Sequence, residues 1–386
     1  MASRRFLTVS TTLSLALLPL LSAQAAAEPK VVASIKPVHA LVASVMEGVG
    51  TPDLIVGGAA SPHAYALKPS QARALENADL IFWIGHELES FLVKPVETIG
   101  SKARAVELID SDGVIQLPFR EGGSFDEHAH EEHADGHDDH GDEKHQEHAH
   151  DHEDHEGQVH DEHAEGQGDH DGEKHEGHAH GHDDHEGEKH EEHADGHGKH
   201  EGEKHEGHAH DHAGGFDAHL WLDPLNAKIF VKTIGEALSD TDPENASTYA
   251  ANVAKTNQKL DALIEEVNTN LAPVRGKQFI VFHDAYQYFE KRFDMVAAGS
   301  ITVNPEVRPS AERVAAIRDK VQKLNAACAF SEPQFDGQLI DVAIEGSEAR
   351  TAVLDPLGAT LDDGPELYFD LIRNLATSMR DCLAAG

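Results

Sequence analysis

Short apolar runs alternate with helix-period patterns between residues 30 and 109. Such runs, bounded by Gly, Pro and Asp, are typical of buried parallel strands. The alternation predicts a lobe built on a mostly parallel sheet with helices between the strands. The expected strands are 30–36, 53–56, 79–84 and 105–109, and the expected helices are 38–48, 69–77 and 87–99.

The same alternation resumes near residue 278 and continues to the end of the chain, so it predicts a second parallel lobe. Ser310 stands where a side chain would cap the first turn of a helix. The expected strands are 278–282, 295–298, 327–330 and 351–354, and the expected helices are 284–292, 310–325, 336–345 and 365–384.

Two helical patterns stand between these lobes, a shorter one over 225–238 and a long one over 243–271. Asp242 is placed to cap the long helix, Pro243 suits its first turn, and Pro273 stands just past its end. A helix of this length would span about 43 Å, which is enough to join two lobes as a rigid strut.

No hydrophobic period exists between residues 121 and 215. Instead, 26 of the 31 histidines of the chain lie within 128–212, mixed with Asp, Glu and Gly. The sequence Glu-Lys-His-Glu-Gly-His-Ala-His occurs at 173–180 and again at 203–210. Because these repeats have no apolar face to stack, they predict a disordered loop that grew by duplication and not a solenoid.

The predicted fold class is α/β, with two parallel-sheet lobes joined by a long rigid helix and a disordered His-rich insertion in the first lobe. The expected domains are a signal peptide at 1–27, a first lobe at 28–120 plus 216–241, the His-rich loop at 121–215, the linking helix at 242–272 and a second lobe at 273–386.

The His-rich loop indicates metal chemistry. Neutral imidazole is the commonest protein ligand for transition metals, and tracts of this composition are typical of metal-binding segments, above all for zinc. A solvated acidic linker is the alternative, but it would need only Asp, Glu and Gly. The loop carries a charge of −28, from 33 acidic residues and five lysines, out of −39 for the whole chain. This acidity argues against nucleic acid and anionic membranes as partners.

The first 27 residues have the features of a secretory signal. Arg4 and Arg5 precede an apolar run over 6–21, and small residues occur at 23–27. A membrane anchor is the alternative, but the run is shorter than the about 20 residues that a span needs, and it contains Pro19. We expect a soluble periplasmic protein that is not embedded in a membrane.

The chain has two cysteines, Cys328 and Cys382. An even count in an oxidising compartment favours one disulfide. Zinc ligation by this pair is the alternative, although the spacing is unlike that of a zinc knuckle.

Five histidines lie outside the His-rich loop, and three of them occupy similar contexts. His63 comes after an expected strand, His219 opens an apolar segment, and His283 directly ends a strand, as does Asp355. Ligands of open parallel sheets bind outside the carboxyl ends of the strands, so a shared site between the lobes is the natural outcome. Three imidazoles with one carboxylate or water suit tetrahedral Zn²⁺, whereas Mn²⁺ would favour more oxygen donors. A packing or capping role for any single histidine stays open.

Four motifs also resemble a known family, the zinc-binding periplasmic proteins of ABC importers (ZnuA-type, cluster A-I). They are residues 34–42 (Ser-Ile-Lys-Pro-Val-His-Ala-Leu-Val), 61–70 (Ser-Pro-His-Ala-Tyr-Ala-Leu-Lys-Pro-Ser), 219–224 (His-Leu-Trp-Leu-Asp-Pro) and 283–289 (His-Asp-Ala-Tyr-Gln-Tyr-Phe).

The resemblance implies one tight zinc between two α/β lobes, with His63, His219 and His283 as ligands. Asp355 matches the aspartate of the second lobe in this family, and manganese-binding relatives carry a carboxylate where His283 stands. We expect His39 to be structural, and His86 to cap a helix or to act beside the metal.

The predicted function is that of a zinc-binding protein, not an enzyme, that delivers Zn²⁺ to the membrane permease of an ABC importer. The His-rich loop would collect zinc or dock a periplasmic metallochaperone, and we expect a monomer. One alternative is a zinc buffer without an importer. A zinc hydrolase is the other, but HExxH and GxSxG motifs do not occur in the sequence.

Overall fold

The computed structural model describes residues 28–120, 215–302 and 304–385. The signal peptide and all but the last residue of the His-rich loop lie outside the described residues. The first lobe consists of β1 (Val31–Ile35), α1 (Lys36–Val45), β2 (Asp53–Val56), α2 (Pro69–Asn77), β3 (Leu80–Trp83), α3 (Val93–Thr98) and β4 (Arg104–Glu107). Two helices come next, α4 (Pro224–Thr241) and α5 (Ala246–Leu271). The second lobe consists of β5 (Phe279–His283), α6 (Gln287–Phe293), β6 (Gly299–Thr302), α7 (Ala311–Leu324), β7 (Cys328–Ser331), α8 (Gln338–Ala343), β8 (Arg350–Val353) and α9 (Leu367–Ala384).

Each lobe holds a four-stranded, all-parallel sheet, and the two sheets repeat one topology. The strand orders are β2-β1-β3-β4 and β6-β5-β7-β8. Every residue of β1 and of β5 is buried, as expected for inner strands of sheets covered on both faces. The predicted α/β class with two parallel lobes is therefore confirmed, while the exact domain boundaries stay a prediction.

The long helix is shorter than predicted and starts differently. The turn at Pro243–Asn245 is a 3₁₀ helix, and α5 begins only at Ala246. The carboxylate of Asp242 does not cap a backbone N–H; it accepts hydrogen bonds from Asn245 Nδ2 and the Tyr249 hydroxyl. By contrast, Ser310 caps α7 as predicted, since its hydroxyl accepts a hydrogen bond from Arg313 N.

Two other predicted elements were wrong. The strand expected at 295–298 lies at β6, because Gly299 and Ser300 pair with Ile280 and Val281 of β5. The helix expected over 87–99 is broken into a 3₁₀ turn at Ser90–Leu92 followed by α3. Just before the 3₁₀ turn, the carboxylate of Glu89 folds back and accepts the backbone N–H groups of Ile84 and Gly85.

Most of the core is shared between the lobes. A hydrophobic cluster runs through the first sheet, α4, α5 and α9, and reaches Phe279, Tyr286 and Phe330 of the second lobe. Helices α4 and α5 pack closely, because a Cβ atom at Gly235 would meet Val253 Cγ2 at 2.5 Å. A second, smaller cluster lies around Ile301 of β6, Ile317 of α7 and Ile340 of α8. The outer part of the second lobe is therefore packed as its own layer.

A disulfide joins Cys328 of β7 to Cys382 of α9, with the two Cα atoms 6.2 Å apart. It fastens the terminal helix to the second sheet. Across the described ranges, no helix has the length and apolar character that a transmembrane span requires.

Candidate metal site

Three histidines from separate parts of the chain meet between the lobes. His63 lies in the loop after β2, His219 stands just before the 3₁₀ turn at Leu220–Leu222, and His283 ends β5. Their candidate ligand atoms all lie within 4.8 Å of one another, and they are the one such group among the described residues. His219 and His283 are buried, and His63 is half-buried.

The spacing of two of these nitrogens fits a tetrahedral metal ion. His219 Nε2 and His283 Nε2 are 3.3 Å apart. Two nitrogen ligands at about 2.0–2.1 Å from a tetrahedral zinc ion would be separated by about 3.3 Å. The separation of the pair therefore matches one edge of a zinc coordination tetrahedron.

Two carboxylates fix how these imidazoles are turned. Nδ1 of His219 donates to Asp217 Oδ1 at 2.7 Å, and Nδ1 of His283 donates to Glu332 Oε1 at 2.7 Å. With the proton held at Nδ1, the Nε2 lone pair of each ring is left for a metal. Asp217 and Glu332 are themselves buried, which makes both arrangements rigid.

The electrostatics of the three rings differ. Burial, reinforced by the neighbouring imidazoles of His219 and His283, lowers the pKa of His63 to about 2. Burial also acts to lower the pKa of His283, but the charge and hydrogen bond of Glu332 outweigh it, so this pKa lies above its ordinary value. His63 is thus held neutral, the form in which imidazole binds metals.

A small cavity adjoins the three rings. Its volume is about 10 Å³, and its lining includes His63, His219, His283 and Glu332. This is room for about one water molecule. Trp221, Phe335, Pro356 and Leu357 supply an apolar wall, which excludes further water. The arrangement can hold one ion with a single small additional ligand.

Asp355, the fourth predicted site residue, is not among the atoms that the structure brings together. Its Oδ1 accepts hydrogen bonds from Gln334 Nε2 and from the backbone N–H groups of Leu357 and Gly358. Its Oδ2 accepts the N–H of Ala359 at 2.6 Å. Both oxygens are engaged in shaping the loop after β8, and Asp355 lines a separate cavity of about 280 Å³.

The remaining two histidines stand apart from the group. His39 is buried, and its Nε2 lies 3.0 Å from the carbonyl oxygen of Pro52. His86 is exposed beside the carboxylates of Glu87 and Glu107.

The sequence analysis did not identify the two orienting carboxylates, Asp217 and Glu332, although their positions in the sequence offered a signal for each. Glu332 comes directly after β7, so the rule that placed His283 at a strand end applies to it equally. Asp217 stands two residues before His219 and accepts both its backbone and its ring N–H.

Comparison with known proteins identifies the family of the chain. The family described as "ZnuA: Zinc-uptake complex component A periplasmic" matches residues 31–382. The chain is 50% identical to the high-affinity zinc uptake system protein ZnuA of Brucella suis, over 92% of this chain and 91% of that protein. It is 39% identical to the ZnuA of Paracoccus denitrificans, with 92% of each chain covered.

Solved structures share the fold at lower identity. A crystal structure of ZnuA has a TM-score of 0.61 at 19% identity, covering 92% of this chain and 98% of that one. A Mn-bound periplasmic metal-binding protein from Candidatus Liberibacter asiaticus has a TM-score of 0.60 at 17% identity, covering 92% and 99%.

Two parallel-sheet lobes, with three histidines between them that could hold a metal ion, are typical of a metal-binding protein of the substrate-binding class. The chain belongs to the ZnuA family, the periplasmic zinc-binding components of ABC-type zinc uptake. The predicted family is confirmed, and with it the prediction that the chain is a zinc-binding protein and not an enzyme.

Proposed function

We propose that the chain captures one Zn²⁺ ion with His63, His219 and His283 and hands it to the permease of a zinc importer. The observation that carries the proposal is the convergence of the three imidazoles, with two Nε2 atoms 3.3 Å apart. A purely imidazole donor set favours zinc over manganese, which prefers oxygen ligands. The periplasmic role of the family supplies the partner, a membrane permease.

The water-sized cavity supports a water molecule as the fourth ligand in place of Asp355. The oxygens of Asp355 already accept four hydrogen bonds, and a carboxylate so engaged would lose them on turning to a metal. A site of three histidines and one water is a known zinc arrangement.

The His-rich loop serves, in this proposal, as an accessory zinc collector or as a docking segment for a periplasmic metallochaperone. The described residues at its two ends support this role. Phe119 N donates to the Gly215 carbonyl at 3.3 Å, and Phe119 lines a cavity of about 470 Å³ together with His63 and His219. Arg120 is anchored on Asp284, the residue next to His283. The loop therefore begins and ends beside the site.

Zinc titration by calorimetry tests the assignment, using the mature chain beside a variant that lacks 126–214. We expect the deletion to keep one tight site and to lose several weak ones. Disappearance of the tight site with the loop would show that the loop is the primary binder. A peptide spanning 121–215 should bind zinc at pH 7.5 and much less at pH 5, because protonated imidazole cannot ligate. Unchanged stoichiometry at the two pH values would reject collection by its histidines.

We propose that release needs only a small tilt of the lobes. The long helix α5 and the hydrophobic cluster shared by both lobes oppose a wide hinge opening. Small-angle scattering of the variant lacking 126–214 should show nearly the same radius of gyration with and without zinc. A large change would contradict this.

Export by the signal peptide at 1–27 and a monomeric state complete the proposal. Mass spectrometry of the periplasmic protein should find a chain that starts near Ala26 or Glu28. Light scattering of the zinc-loaded protein should give the mass of one chain.

A further inference from the structure

One hydrogen bond crosses from the loop of His63 to the opposite lobe. The Ser61 hydroxyl donates to Glu306 Oε1 at 2.8 Å, although the two residues are 245 positions apart. Ser61 lies after β2 and Glu306 after β6, the equivalent edge strands of the two sheets. The loops that leave these edges therefore meet over the metal site.

Ser61 also contacts the backbone of His63. Its hydroxyl oxygen accepts the His63 N–H at 3.3 Å while its proton points to Glu306. Through this one hydroxyl, the carboxylate of the second lobe is connected to the backbone of the ligand in the first. Any motion that separates Glu306 from Ser61 removes a restraint on His63.

His63 needs such a restraint more than the other two histidines. The rings of His219 and His283 are each held by a buried carboxylate. In the described parts of the chain, the His63 ring makes no hydrogen bond to a carboxylate; its ring contacts are to the other two imidazoles, at centroid distances of 5.3 and 5.9 Å. Its loop leaves β2 through Gly57 and Gly58, and Gly58 has a φ of +66°. Apart from the Ser61 hydroxyl, the loop is anchored again only after His63, at Tyr65, whose hydroxyl accepts a hydrogen bond from Gln71 Nε2 at 2.9 Å.

Glu306, by contrast, is presented by an ordered turn. Its backbone N–H donates to Asn304 Oδ1 at 2.9 Å, and the Thr302 hydroxyl donates to the Asn304 carbonyl at 2.6 Å. Thr302 ends β6, which belongs to the separately packed outer layer of the second lobe. The position of Glu306 thus depends on the position of that layer.

We propose that the Ser61–Glu306 bridge is a positioning contact that holds His63 on the metal and sets the rate at which zinc leaves. A displacement of the outer layer of the second lobe would break the bridge and free the His63 loop first, leaving zinc on two anchored histidines. The inference rests on the proposed metal site and adds the means by which one ligand is released. Ser61 and Glu306 do not touch the metal in this scheme.

The test measures zinc dissociation from the full chain, loaded with less than one equivalent of Zn²⁺ so that the tightest site is filled. An excess of a chromophoric chelator reports the rate in a stopped-flow instrument. We expect S61A and E306A each to release zinc about threefold to tenfold faster, the range of one lost hydrogen bond. The double variant should be no faster than the faster single variant, because both changes break one bridge.

Several controls separate positioning from charge and from folding. S61A leaves the charge unchanged, and S61T, which keeps the hydroxyl, should restore slow release. E312A, the matched truncation, removes an exposed carboxylate from α7 of the same lobe and should release zinc as the native chain does. Melting of the metal-free variants and a stoichiometry of one for the tight zinc site check that the fold survives.

The outcomes distinguish the bridge from the site itself. Release rates of S61A and E306A within about twofold of the native rate, or effects that multiply in the double variant, would overturn the bridge. Fast release by S61T would also overturn it. H63A should lose tight binding; tight binding that survives H63A would overturn the proposed site and the bridge together. Loss in H63A with native rates in S61A and E306A would overturn the bridge alone.

Discussion

His219 and His283 stand 64 residues apart in the chain and face each other through Nε2 atoms at 3.3 Å. A carboxylate that accepts a hydrogen bond from Nδ1 orients each ring: Asp217 orients His219, and Glu332 orients His283. In the proposed zinc site, two of the three imidazoles are therefore oriented before any ion arrives, and His63 would supply the third. Such preorganisation lowers the entropy lost on binding and favours tight capture.

Replacing Glu332 by Gln should weaken zinc binding by about 10- to 100-fold, the usual effect of losing an orienting carboxylate. The amide can still accept a hydrogen bond, but it no longer holds the charge that favours the Nδ1–H tautomer of His283. Competition titration against a chelator of known affinity measures the change, and D217N should behave similarly at His219. An unchanged Kd in both variants would mean that the carboxylates do not tune the site.

Asp355→Asn should affect stability more than zinc affinity. The change leaves one oxygen but removes the acceptor for Ala359 N–H, so we expect a loss of about 1–3 kcal/mol in the free energy of unfolding. The zinc Kd should move less than in E332Q. If D355N loses tight binding as H63A is expected to do, Asp355 is a ligand after all. Chemical denaturation and zinc titration of the same preparation decide between these results.

Removing the disulfide should destabilise the chain by about 2–4 kcal/mol on the chain-entropy account. The bond closes a loop with a sequence separation of 54 between β7 and α9. Urea denaturation of the C328S/C382S variant, compared with the native chain, measures the difference. The number of tight zinc sites should remain one, because neither cysteine belongs to the ligand group of three histidines. A stability equal to that of the native chain would show that packing of α9 alone suffices.

Glu89 should make the metal-free protein less stable as the pH rises. Burial raises the pKa of its carboxyl to about 7, against the hydrogen bonds from Ser34, Gly85 and Ile84 that lower it. A carboxyl whose pKa is higher in the folded state favours folding below its unfolded pKa of 4.5. That contribution is lost as the pH rises through about 7, and it amounts to about 3 kcal/mol.

The comparison of native chain and E89Q isolates this group. Free energies of unfolding at pH 5 and pH 8 should fall more with pH in the native chain, since Gln does not titrate. Equal pH dependence of the two proteins would show that Glu89 stays ionised in the fold.

The periodicity of apolar residues was enough to predict the α/β architecture with two parallel sheets. Continuous buried runs such as Val31–Ile35 and Phe279–His283 fit only inner strands whose two faces are both covered. Because helices alternate with these strands, the strands must pair in parallel. The boundaries at 295–298 and 87–99 failed for a reason that lies outside the pattern. Neighbouring windows fit the strand near 295–302 equally, and only pairing with β5 selects one. In the expected helix, the carboxylate of Glu89 accepts the N–H of Ile84, a contact that helical periodicity does not encode.

For the candidate metal site too, part was determined by the sequence and part only by the tertiary structure. The sequence by itself determined which histidines stand at strand ends, because residue type and local period are properties of the chain. Only the tertiary structure decided that the rings meet at coordination distance, that Asp217 and Glu332 turn two of them, and that Asp355 commits its oxygens to a loop. Most of these relationships join residues tens to hundreds of positions apart. They depend on how the two sheets pack against α4, α5 and α9. The local pattern of apolar and polar residues does not encode distances that are set by tertiary packing.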